Sequence, residues 1–184
     1  MRRPARQIQD LVEQTIRDVE MEVAVKQEAT GVNMMYDFIK HEILIDMERI
    51  RKAYGEILES MPFETYIRTL TIHELGHGMD RDALLASLDR AVEIIKAKKQ
   101  ACAEKRDRDL PFMEMLIEEH ERDIVFEETA WANAELLNRY YEIIDWQDFL
   151  KVKEHSMASY QTSYEKDLAV YQERKVTQDS LAII

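Results

Sequence analysis

The chain has 184 residues, 46% of them apolar and 34% charged, enough for one globular domain with a real core. Its formal net charge of −12 repels phosphate backbones and anionic headgroups, so neither nucleic-acid binding nor membrane docking is expected as the main activity. One cysteine, Cys102, excludes an intrachain disulfide, and no apolar run approaches the roughly 20 residues that span a bilayer; a cytoplasmic location is expected.

With only 4 glycines and 3 prolines, the chain should be mostly helical. The basic start Met1–Arg6 is followed by no apolar segment of the kind a secretory leader carries. Ile8, Leu11, Val12, Ile16 and Val19 recur at helical spacing and mark a first helix. The period then changes to two: Met21, Val23 and Val25 alternate with polar or small residues, which argues for a strand. Thr30-Gly31-Val32-Asn33 is a turn signal, and Met35–Lys40 and His41–Asp46 read as two further short strands. Asp46 is placed to cap a helix through Met47, Ile50, Tyr54 and Leu58, with Gly55 a weak point inside it. Ser60 and Pro62 open the next helix, which Gly78 is placed to close. Leu84, Leu88, Val92 and Ile95 form a stripe that fades into the polar stretch 96–109. A long helix follows from Phe112 to about Tyr141, and Asp145 caps a last one carrying Phe149, Tyr160, Tyr164, Leu168 and Tyr171, with fraying expected from about Lys175. The fold class is therefore α+β, predominantly helical: a small N-terminal sheet of about three strands packed on the helix of residues 63–79, then long helices. The chain reads as a single domain over residues 1–184, with an inserted helix at 80–110 and a helical extension at 145–175.

The stretch that carries chemistry is His73-Glu74-Leu75-Gly76-His77, an H-E-x-x-H inside an apolar helical segment. Residues four apart share a helical face, so both imidazoles can point at one ion with Glu74 beside them. A catalytic zinc takes three protein ligands and keeps one position for water, whose pKa it lowers to roughly 7. Glu74 is suited to take a proton from that water and pass it to a leaving amine.

The run Thr71-Ile72-His73-Glu74-Leu75-Gly76-His77-Gly78-Met79-Asp80 resembles the active-site helix of gluzincin-type zinc metallopeptidases, including the ImmA/IrrE-like proteins and the minigluzincins. The metzincin pattern is not met, because Asp80 and Ala83 stand where that class has glycine and its third ligand. The gluzincin resemblance implies a third ligand from a downstream glutamate helix with an E-x-x-A pattern, which Glu127 to Ala130 matches. Glu127, Ala130 and Ala134 share one face, whose small alanines would let that helix approach closely; Glu128 is the alternative if the register slips by one. His120 and Asp123 lie on the Glu127 face as substitutes or supporting groups, and Asp80, three residues past His77, is a further candidate to orient a metal-bound imidazole. The resemblance further implies that Glu42–Asp46 is a strand rising over the site, its edge holding an extended substrate by backbone hydrogen bonds.

An oxyanion donor beyond the metal is also expected, with Tyr140, Tyr141 and His155 as candidates. His41 reads as a surface or cap residue, and Cys102, with no histidine near it in sequence, as an inert thiol. Two functions follow. One is a zinc metallopeptidase acting on a peptide or protein substrate through His73, His77 and Glu127 on the metal and Glu74 as base. The other is a helical regulatory or interaction protein whose zinc site is structural or vestigial.

Overall fold

A computed structural model describes residues 5–57, 61–101 and 109–182, so Leu58, Ser60 and Cys102 lie outside the described residues. The chain is α+β and mostly helical, with a small three-stranded sheet near the N-terminus. It divides into two compact units: Met1–Leu85 with Glu128–Glu154, and Ala86–Glu127 with His155–Ile184. The second draws on the segments read from sequence as an insertion and an extension.

In the first unit, α1 (Ala5–Asp18) buries Ile8, Val12 and Ile16 on one stripe, as their spacing requires. Each such side chain contributes about 1.5–3 kcal/mol on full burial. The stripe faces α3 (Phe63–Met79), and Arg68 of α3 donates to Asp18 at 2.7 Å.

The sheet has the order β1-β3-β2, with β1 at Ala24–Gln27, β2 at Met34–Asp37 and β3 at Glu42–Ile45. β2 and β3 are antiparallel, whereas β1 and β3 are parallel. Asp37 makes the tight β2–β3 connection: its carboxylate accepts the N–H groups of Ile39 and Lys40, each at 3.0 Å, and His41 adopts φ +59°. β3 is thus the central strand, with both edges paired. This corrects the expectation that Glu42–Asp46 offers an edge to substrate. The edge beside α3 belongs to β2, because Ile43, Leu44 and Ile45 are the most buried strand and take the middle of the sheet.

Asp46 caps α2 (Met47–Ile57) by accepting the N–H groups of Glu48 and Arg49, while its other oxygen accepts that of Gly31. Gly78 does not end α3. The helix runs to Met79, where the N–H of Asp80 donates to the His77 carbonyl at 3.1 Å. α4 (Arg81–Ala86) then breaks at Ser87 before α5 (Leu88–Gln100). Ile94 is the fully buried residue of α5, while Val92 and Ile95 of the expected stripe are exposed.

α6 (Leu110–Tyr141) is one unbroken helix whose second half belongs to the first unit. α7 (Trp146–Ala182) is capped by Asp145, which accepts the N–H of Gln147 at 2.9 Å, and continues past Lys175. Within the second unit, residues 114–127 of α6 run antiparallel to residues 160–171 of α7. The seam is polar: Tyr171 donates to Glu114 at 2.5 Å, Tyr164 to Glu121 at 3.1 Å, and His120 meets Asp167 at 2.9 Å.

Candidate metal centre

Residues 69–76 of α3 are buried without interruption, so this helix presents no solvent face over its middle two turns. His73 and Glu74 are each only 6% exposed, while His77, nearer the end, is half-buried. Burying such groups is costly unless each finds partners, so this stretch is built around polar contacts.

The second half of α6 packs directly on it. Ala130, Trp131 and Ala134 are fully buried, and the Asn133 amide donates to the Gly76 carbonyl at 3.0 Å. A methyl group on Gly76 would lie 2.1 Å from the carbonyl oxygen of Ala130. The glycine inside His73-Glu74-Leu75-Gly76-His77 is therefore what permits the two backbones to touch. The Trp131 indole stacks on the His73 imidazole with centroids 4.2 Å apart and planes at 20°, and is itself braced edge-on by Phe149. The stack holds the His73 ring in one plane. Trp131 did not stand out in the sequence, because it belongs to no ligand pattern.

Glu127 sits one helical turn before Ala130 and Trp131, and helical continuity fixes the face from which its side chain leaves the helix. Ligand atoms of His73, His77 and Glu127 all lie within 4.8 Å of one another, the one such group of three among the described residues. Ligands about 2.0–2.2 Å from a tetrahedral ion stand about 3.4 Å apart, a spacing that lies inside the limit this group meets. Two imidazoles and a carboxylate suit a borderline divalent cation, and this His-His-Glu group can hold one. Glu127, 9% exposed, belongs to this group, whereas Glu128 is exposed and does not.

Glu74 is outside that ligand group. Its Oε2 accepts the N–H of Tyr36 at 2.8 Å, which ties the middle of α3 to the outer edge of β2. The Tyr36 ring lies 3.5 Å from where a Cβ on Gly78 would stand, and its hydroxyl hydrogen-bonds His41 Nδ1. His41 is thus a partner of Tyr36 rather than a simple surface residue, and burial raises the Tyr36 phenol above its ordinary pKa.

The candidate oxyanion donors fare differently. Tyr140 is 81% exposed and rests edge-on against Tyr141. Thirteen residues of helix place it about 20 Å along the axis from Glu127, beyond the reach of a phenol. Tyr141 lies one residue further on, and His155 is exposed. The tyrosine that reaches the ligand set is Tyr160, whose hydroxyl donates to Glu127 Oε1 at 2.9 Å. Of the supporting groups considered from sequence, His120 pairs with Asp167, Asp123 lies 3.9 Å from Arg122, and Asp80 caps α3.

No protein-family model, curated protein or solved structure matches the chain. No helix among the described residues is long and apolar enough to cross a membrane.

Proposed function

We propose that the protein is a zinc-dependent peptidase of the gluzincin type, acting on peptide or protein segments. The observation that carries this reading is the convergence of His73, His77 and Glu127 with a buried Glu74 on the same helix. A zinc ion there would supply a Lewis acid that polarises a peptide carbonyl and acidifies water. His73 and His77 would bind as neutral imidazoles, with the Trp131 stack fixing the His73 plane. Glu74 would accept a proton from the attacking water and deliver it to the departing amine. The N–H of Tyr36 holds the Glu74 carboxylate in place for that transfer, so the base needs no reorganisation during the reaction. An extended peptide would run along β2, the strand whose outer edge adjoins α3.

The same Tyr36–Glu74 bond favours a second reading, because it also gives Glu74 a structural task. In that reading the ion is structural and the protein is a helical interaction module. Glu74→Gln separates the two, since a glutamine carbonyl can still accept the Tyr36 N–H but cannot carry a proton. The metallopeptidase reading expects E74Q to retain stoichiometric zinc while losing at least about 100-fold in cleavage of a peptide library. Wild-type protein that holds zinc but cuts no member of the library, and unfolds when the metal is chelated, would establish the structural reading instead.

A further inference from the structure

We infer that Tyr160 is a positioning residue for the metal: its phenol orients the Glu127 carboxylate and sets the affinity of the site. This inference rests on the metal reading above and adds to it a residue that no motif in the sequence marks. Tyr160, Tyr164 and Tyr171 each donate to a glutamate of α6, so the three bonds look alike as chemistry. They differ in what the acceptor does. Glu121 and Glu114 are exposed, and their tyrosines only close the polar seam between the helices. Glu127 is 9% exposed and belongs to the His73–His77–Glu127 group.

A glutamate side chain has three rotatable bonds, and a ligand that must be frozen on binding gives up that freedom as lost affinity. A phenol donating to Oε1 at 2.9 Å removes part of the freedom beforehand. It does so without exhausting the carboxylate, which has about four lone-pair sites. A neutral donor also leaves the negative charge in place, where a lysine or arginine would compete with the cation for it. Tyrosine suits the task because its ring is stiff, with two torsions, and its hydroxyl is polar enough to meet a buried oxygen. Tyr160 acts through Glu127 rather than on substrate.

The experiment compares Tyr160→Phe with Tyr164→Phe in the full chain. Both remove one hydroxyl from the same seam, so an effect on helix pairing alone would be shared. Zinc affinity is read by competition with a chromophoric chelator, the site geometry by the visible spectrum of the cobalt-substituted protein, and folding by thermal melts of the metal-free form. Y160F should bind zinc about 10- to 100-fold more weakly, the range expected when a group that orients a metal ligand is lost. Its cobalt spectrum should shift, and its metal-free melt should match that of Y164F. Y164F should keep wild-type affinity and spectrum. Y160F within about twofold of wild type, or Y164F weakened as much as Y160F, would overturn the assignment of Tyr160 while leaving the metal site intact. Wild-type protein that takes up neither zinc nor cobalt would overturn the metal reading, and this inference with it.

Discussion

A methyl group at residue 76 would stand 2.1 Å from a backbone oxygen of α6, and backbone cannot swing aside as a flexible side chain can. Gly76→Ala should therefore separate α3 from α6 rather than pack between them. Overpacking of this kind costs typically about 1–3 kcal/mol, and here it would also draw Glu127 away from the histidines. The expected outcome is a lowered melting temperature together with zinc affinity reduced by about tenfold or more. Gly78→Ala, whose new methyl would make an ordinary contact of 3.5 Å with the Tyr36 ring, is the internal control and should bind zinc as wild type does. Equal behaviour of the two variants would disprove the close-approach argument.

Among the elements, the β3–α2 junction has the clearest electrostatic signature. The Asp46 carboxyl is held below its ordinary pKa first by the N–H of Arg49 and then by that of Gly31. A carboxyl whose folded pKa is depressed adds stability that is complete above its unfolded value, near 3.9, and is lost as pH falls through the lower folded value. Asp46→Ala should cost about 1 kcal/mol at pH 7, the usual cost of a lost N-cap, visible as a lower urea midpoint. Asp46→Asn keeps an acceptor but carries no charge, so its deficit relative to wild type should shrink as pH falls below about 4. A deficit unchanged between pH 7 and pH 3 would show that the cap works without its charge.

For the whole molecule, the site is expected to add stability without being its source. The core of the first unit, with Ile8, Val12, Ile45, Ile67, Ile72 and Phe149 all at 0% exposure, is assembled from apolar side chains that need no ion. Zinc at a hundred times its dissociation constant would add about 2.7 kcal/mol by mass action. Chelation should lower the melting temperature in a metal-dependent way while leaving far-UV helical signal unchanged at 25 °C. Loss of that signal on chelation would mark the ion as part of the fold.

The α+β class, the helix of residues 63–79 and its two histidines were legible from local rules, because periodicity and the i, i+4 spacing depend only on neighbours along the chain. Glu127 also had a local trace in its spacing from Ala130 and Ala134, whereas its approach to the two histidines depends on how the helices pack. Strand order was not legible: four-residue strands such as Glu42–Ile45 carry too few side chains to specify which neighbour lies on which edge, and β3 became central through what packs around it. Trp131 on His73, Tyr36 on Glu74 and Tyr160 on Glu127 join residues 58, 38 and 33 positions apart. Such pairs leave no periodic mark, since each is set by how whole helices and strands meet. Local spacing named the groups able to bind a cation, and long-range packing chose the side chains that hold them in place.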